Sequence, residues 1–298
     1  MEQANLHQRN FNTISPSAKS LLLLKGHTNI PFARQTAELI QNPDKYIPDF
    51  NNQNLTFWAR TVHFESRYWS IDQLLDELPV RNILELSSGF SFRGLGKIKH
   101  KEVHYIDTDL PEVIATKKEF IDSLQNGNTQ SVGTLDLVPL NVLDEEQFQS
   151  VVHQFPAGEL VIVNEGLLMY LDTTEKEKLC NIIRNILKQR GGYWITADIY
   201  LKNKLNKENL DLKLDDKTKE FFEQHRIEEN RFESFAEAES FFNKMGFVVE
   251  KEANIPISKL SSLKYLTNNT SSNKLFKMSK TGKMQVSWRL KVADIAVD

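Results

Sequence analysis

The residues best suited to chemistry lie in two short stretches. In residues 82–94, NILELSSGFSFRG, an apolar run ends in Glu85 and breaks into Ser87, Ser88, Gly89 and Ser91. In residues 103–111, VHYIDTDLP, a second apolar run ends in Asp107 and Asp109. A small-residue turn after one strand and an acid at the end of the next is how a doubly wound α/β domain holds a nucleoside. The turn lets backbone approach the ligand, and the carboxylate accepts hydrogen bonds from ribose hydroxyls. Asp107 and Asp109 share that task here, and Asp109 also stands where a helix N-cap would.

The turn weighs against a dinucleotide. A diphosphate needs bare backbone at a helix N-terminus, hence several glycines, and only Gly89 meets that need. A nucleoside with a compact amino-acid tail needs less clearance, which favours S-adenosylmethionine over NAD. Gly89-Phe90-Ser91 also begins like the nucleophile elbow of an α/β hydrolase, with Ser91 as nucleophile. Arg93 occupies the place of the second glycine, however, and no late acid–histidine pair follows, the last histidine being His225. A binding protein that keeps the nucleoside site without turnover is the other alternative.

A third cluster, VIVNEGLLMYL at 161–171, places Asn164 and Glu165 at the end of an apolar run. In a doubly wound fold that end is where substrate and cofactor meet. Polar groups wedged between apolar runs need partners once buried. Met169 and Tyr170 read as pocket wall.

The elements that position these residues follow from patterning. Residues 1–80 read as a mostly helical extension. Five short apolar strands then alternate with helices, at 82–86, 103–106, 135–140, 160–163 and 192–197, and Pro139 places the third towards an edge. Pro111 suits the first turn of a helix. Thr174 with Glu177 reads as a capping box ahead of a helix closed by Gly191 and Gly192, and Ser234 opens another. Two last strands, 247–250 and 285–292, suit an antiparallel pair. The fold class is therefore α/β, with a doubly wound, mostly parallel sheet in residues 81–298. Residues 201–233 interrupt it with a charged, helical insertion. Few of its residues look able to reach a core, which suits a mobile cover over the site.

Composition sets the outer bounds. The 298 residues carry a formal net charge of −3, 40% hydrophobic and 26% charged residues. Nothing in that balance calls for a nucleic-acid or membrane partner, and the polar, acid-bearing start is unlike a secretory signal, so a cytoplasmic protein is expected. A lone cysteine, Cys180, excludes an internal disulfide and a cysteine-based zinc site. It falls on an apolar helix face and reads as core packing.

Together these segments resemble the leucine carboxyl methyltransferase family, in the branch with bacterial polyketide-type O-methyltransferases. ELSSGFSFR at 85–93 resembles its acid, small-residue turn and arginine. Asp107 to Pro111 resembles its acid-x-Asp-x-Pro segment, and EGLLMYL at 165–171 resembles its fourth-strand pattern. The resemblance covers roughly residues 15–200. It implies a seven-stranded Rossmann-like sheet, S-adenosylmethionine as cofactor and a small-molecule acceptor methylated on a carboxylate or hydroxyl oxygen. It also implies roles. Lys19 and Arg60 would meet the cofactor carboxylate, and Glu85, the acid of the first motif, would belong to the cofactor site. Ser87 and Gly89 would line the methionine part, Asp109 would hold the ribose, and Asn141 and Val142 would contact adenine. Glu165 would hold the amino group. Ser87 and Asn141 depart from the family's usual glycine and aspartate. Were the acceptor a phenol, His63 would be the candidate base.

Overall fold

A computed structural model describes residues 15–40, 47–51, 53–125, 131–202, 216–254, 257–268, 270–271 and 282–293. The chain opens with three helices, α1 (Ser15–Lys25), α2 (Ala33–Ala37) and α3 (Leu55–Asp76). Strands and helices then alternate: β1 (Asn82–Leu86), α4 (Arg93–Ile98), β2 (His104–Asp109), α5 (Pro111–Gln125), β3 (Thr134–Pro139), α6 (Glu145–Val152), β4 (Leu160–Asn164), α7 (Thr173–Arg190) and β5 (Gly192–Tyr200). The last part holds α8 (Asp216–Gln224), α9 (Phe235–Lys244), β6 (Phe247–Glu252), α10 (Leu263–Asn268) and β7 (Gln285–Val292).

The strands form one seven-stranded sheet in the order β3-β2-β1-β4-β5-β7-β6. The first five are parallel, and β7 runs antiparallel to both β5 and β6. This is the expected doubly wound sheet with its antiparallel final pair. Pro139 lies in β3, at the edge, where a missing N–H costs least.

Side chains of successive strand residues point to opposite faces, so the sheet builds two cores. Ile83, Val161, Val163 and Ile195 pack with Leu22, Ile71, Leu74 and Leu75 of α1 and α3. Leu84, Ile162 and Trp194 pack on the other face with Leu179, Ile183 and Phe242 of α7 and α9. The helices of the amino-terminal extension thus share a core with the sheet. Cys180 belongs to the second core, as its helix face implied, and burial pushes its thiol up to about 12.

Three local features differ from the sequence expectation. Strand β2 continues past residue 106, so Asp107 and Asp109 lie within it, because pairing with β3 runs on to Asp109 opposite Pro139. The capping box at α7 is Asp172 with Glu175, not Thr174 with Glu177. Asp172 Oδ1 accepts from Glu175 N at 2.9 Å, and Glu175 Oε2 accepts from Asp172 N at 2.9 Å. The insertion is folded onto the body where it is described. His225, Ile227, Asn230 and Phe232 are buried, because Phe232 pairs its backbone with the end of β5. Residues 203–215, in the same insertion, lie outside the described residues.

The capping box yields a first test. Asp172→Ala removes the acceptor for Glu175 N and should lower stability by about 0.5–2 kcal/mol in urea unfolding. Thr174→Ala should be nearly silent. The reverse ranking would return the cap to Thr174.

Candidate functional site

The carboxyl ends of β1, β2, β4 and β5 lie side by side in register. The charged network there centres on Glu165, the residue after β4. Its Oε1 accepts from Lys25 Nζ at 2.8 Å, and its Oε2 accepts from Arg93 Nη2 at 2.8 Å. Arg67 Nη2 stands 3.7 Å from Oε1. Burial by itself would raise the Glu165 carboxyl. The charges of Lys25, Arg67 and Arg93 outweigh burial and hold it well below the usual carboxylate range. Burial lowers Lys25, and Glu165 offsets part of that.

The cations are anchored in turn. Arg93 donates through Nη1 to Asp72 Oδ1 at 3.0 Å, and its guanidinium lies 4.1 Å from the Tyr68 ring centre. Arg67 donates through Nη1 to Tyr200 Oη at 2.9 Å, and its Nη2 is 3.8 Å from Asp198 Oδ1. Asp198, buried in β5, collects the backbone of the loop after β4. It accepts from Gly166 N and Leu167 N at 2.6 Å each and from Leu168 N at 3.1 Å. Gly166 has φ of +89°, and a Cβ there would sit 3.0 Å from Arg67 Nη2, so backbone and packing both require glycine. Asn164 finds the partners its burial demands: it donates to Thr196 and Asp198 and accepts from Trp194 Nε1 at 2.7 Å.

The turn after β1 is held from below and from the side. Ser87 and Gly89 have φ of +48° and +50°. Gly89 N donates to Asp109 Oδ2 at 2.7 Å, and Leu110 N donates to Oδ1 at 2.7 Å. Burial raises the half-buried Asp109 carboxyl, and those two N–H groups pull it down in part. Asp107 is fully buried instead. Its Oδ2 is 2.8 Å from Lys117 Nζ, which also donates to Ser88 Oγ at 2.9 Å. Burial pushes Asp107 up to about 6 against the opposing charge of Lys117. Glu85 is likewise enclosed, accepting from Tyr105 Oη at 2.5 Å with Arg93 Nε 3.5 Å away. Asp107 and Glu85 therefore support the turn from beneath, while Asp109 stands at it.

The remaining residues singled out from sequence divide. Lys19 is exposed on α1, and the amino-terminal lysine that reaches Glu165 is Lys25. Lys25 ends α1, next to the buried Leu24, and so is carried inward. Arg60 is half-buried on α3 close enough to His63 to affect it electrostatically, with no ion-pair partner among the described residues. Asn141 is half-buried after β3, its Oδ1 accepting from Leu143 N at 3.1 Å, and Val142 is buried in the apolar core. Met169 is half-buried, and its carbonyl accepts from Asn230 Nδ2 at 3.1 Å. Tyr170 is buried, donates to Ser17 Oγ at 3.4 Å and meets His225 edge-on. Ser91 is buried and accepts from Arg93 N at 3.4 Å. No histidine bonds it among the described residues, so the hydrolase elbow has no base.

Sequence reading missed Lys25, Arg67, Asp198 and Tyr200. One signal was present: Asp198 is an acid inside the apolar run WITADIY, the same pattern that marked Asn164. Nothing local marked Arg67, whose role depends on which strand ends face α3.

A turn of this kind on a sheet of this order defines a Rossmann-like methyltransferase fold. Residues 12–184 match the family model described as leucine carboxyl methyltransferase. The chain belongs to the leucine carboxyl methyltransferase family, whose members are S-adenosylmethionine-dependent enzymes. No curated protein sequence matches it. Solved structures similar to it include an O-methyltransferase family protein from Burkholderia thailandensis, at 13% identity and TM-score 0.45, over 81% of this chain and 57% of that one. Another is an O-methyltransferase from Nostoc punctiforme, at 15% identity and TM-score 0.44, over 94% and 69%. A third is the magnesium protoporphyrin IX methyltransferase of Synechocystis with bound S-adenosylhomocysteine, at 10% identity and TM-score 0.45, over 83% and 90%. The chain spans little more than half the length of the first of these.

The Glu165 network makes the second prediction. Glu165→Gln leaves Lys25, Arg67 and Arg93 without their shared anion and should cost about 3–5 kcal/mol. Because the folded-state carboxyl is depressed, its contribution is fully present above the ordinary carboxylate pKa of about 4.3 and is lost as the pH falls below it. Urea midpoints of the two proteins should differ most at pH 7 and converge in acid. A constant difference across that range would place the effect in packing.

Proposed function

We propose that this chain is an S-adenosylmethionine-dependent O-methyltransferase that esterifies a carboxylate of a small organic acid. The cofactor's parts have matching partners. Glu165 beside Lys25 is a charge pair complementary to an amino acid's ammonium and carboxylate, and Arg60 offers a second cation for the carboxylate, one without an ion-pair partner among the described residues. Asp109 would accept from the ribose hydroxyls, since each of its oxygens bonds one backbone N–H and keeps a free lone pair. Asn141 and Val142 would border the adenine. When bound, S-adenosylmethionine supplies a methyl on a sulfonium sulfur, open to displacement by an oxygen.

The observation that carries the choice of acceptor is the state of His63. Its Nε2 is 2.6 Å from Tyr200 Oη. Arg67 donates to that oxygen at 2.9 Å, which leaves the Tyr200 O–H able to donate to Nε2 of the His63 tautomer protonated at Nδ1. Burial, then Arg67 and Arg231, lower His63 from its ordinary value to about 3. A histidine that gives up its proton so readily is a poor base at neutral pH. Burial pushes Tyr200 up to about 12, so it serves as a neutral donor. With His63 so disabled, an acceptor that arrives deprotonated, as a carboxylate of pKa about 4 does, is favoured. Such a reaction needs alignment and a dry wall more than proton transfer, and Phe90, Leu167 and Met169 supply apolar surface.

Two measurements test this reading. Asp109→Ala should weaken S-adenosylhomocysteine binding about tenfold to a hundredfold by calorimetry, and a folded variant with wild-type affinity would remove Asp109 from the ribose role. Incubation with methyl-labelled cofactor and a panel of acids and phenols, followed by mild alkali, should release labelled methanol from an ester. Alkali-stable label on the preferred acceptor would show an ether and refute the carboxylate.

A further inference from the structure

Between β5 and α9 the chain returns to the site and is fastened there on both sides of one residue. Asn230 donates through Nδ2 to the Met169 carbonyl in the loop after β4, and its own carbonyl accepts from Lys176 Nζ. Phe232 N donates to the Tyr200 carbonyl at 2.9 Å, and Lys202 N donates to the Phe232 carbonyl at 2.7 Å. Arg231 lies between these two attachments. Its guanidinium is 5.4 Å from the Tyr200 ring centre and 5.7 Å from that of Phe222. It acts on His63 electrostatically, along with Arg67 and Arg60 from α3 and the opposing charge of Glu165.

The charges here do not balance inward. Glu165 is already matched by Lys25, Arg67 and Arg93. Arg67 has both terminal nitrogens committed, to Tyr200 on one side and to Asp198 and Glu165 on the other. Arg231 differs. Its side chain is 15% exposed, and its anionic partner is Glu228, at 2.7 Å and 47% exposed. Its Nε is buried without a hydrogen-bond partner among the described residues. A largely desolvated guanidinium with a spare donor and, among the described residues, only a rim anion as partner is suited to exchange that partner for a ligand's carboxylate, in the two-pronged geometry a lysine cannot match. The apolar surfaces around it, Phe222 and Tyr200, suit the body of an organic acid.

We infer that Arg231, held between the loop after β4 and the end of β5, anchors the carboxylate of the acceptor and sets the enzyme's preference for acids. The inference rests on the methyltransferase reading above, and its test is separable from that reading. Tyr200, oriented by His63 and Arg67, then offers its ring as the neighbouring wall. Glu228 acts as a competing anion that a ligand displaces.

The test uses the full chain saturated with S-adenosylhomocysteine, with hexanoate, benzoate and phenylacetate and their primary amides as probes in saturation-transfer NMR. The acids should bind and the amides should not. Arg231→Gln should weaken the acids at least tenfold, with S-adenosylhomocysteine affinity unchanged by calorimetry, and Arg231→Lys should recover part of the loss. Glu228→Gln, at a more exposed position, should tighten the acids severalfold by removing the competitor. Wild-type acid affinity in a folded Arg231→Gln, amides binding as well as acids, or no acid binding to protein that holds S-adenosylhomocysteine would each overturn the inference. A wild-type protein that fails to bind S-adenosylhomocysteine would overturn the proposed function itself.

Discussion

A carboxylate enclosed by three cations governs this structure. Removing a carboxylate from water costs several kcal/mol unless it is closely paired and bonded. Glu165 meets that demand with Lys25 from the end of α1, Arg67 from α3 and Arg93 from the start of α4. The amino-terminal helices are thereby tied to the loop after β4, far away in sequence. Asp198 completes the constraint by accepting from three consecutive backbone N–H groups of that loop. Neither cluster stands without the other, because Arg67 faces both carboxylates.

The turn after β1 rests on a second buried pair, Lys117 with Asp107, that reaches the ligand side only through Ser88. This separation assigns different work to two acids one residue apart on the same strand pleat. Asp107 is enclosed and structural. Asp109 reaches the turn and fixes Gly89. Ser87 takes a left-handed φ that an L side chain adopts at a cost of roughly 1–2 kcal/mol. The enclosed pair beneath, and the bond from Ser88 N to the Thr108 carbonyl, hold the turn in that conformation.

The cluster of His63 and Tyr200 is organised by a different device. His63 is kept neutral by burial and by surrounding guanidinium groups, and Tyr200 shares its hydroxyl between His63 and Arg67. An imidazole so placed orients a hydroxyl and offers little as a base. The same cations that lower its affinity for a proton create a potential that attracts an anion.

The sequence by itself determined the sheet: strand periodicity and turn residues located every strand, and the Pro139 edge and antiparallel end followed from local chemistry. It also singled out the short motifs that the fold gathers at one end of the sheet, since an acid that ends an apolar run is visible without a structure. It misplaced the α7 cap by two residues, because Asp172 and Thr174 are equally good caps and only helix packing selects one. It singled out Lys19 and passed over Lys25, because a lysine's side of a helix depends on what covers that helix. Lys25, Arg67, Asp198 and Arg231 became functional candidates only in the folded chain. Their meaning lies in charges and backbone groups brought together from distant segments, and pairings across such distances leave no trace in local spacing. The insertion shows the same limit: its charged composition reads as solvated, yet Asn230 and Phe232 are fastened to the site by backbone pairing that composition does not encode.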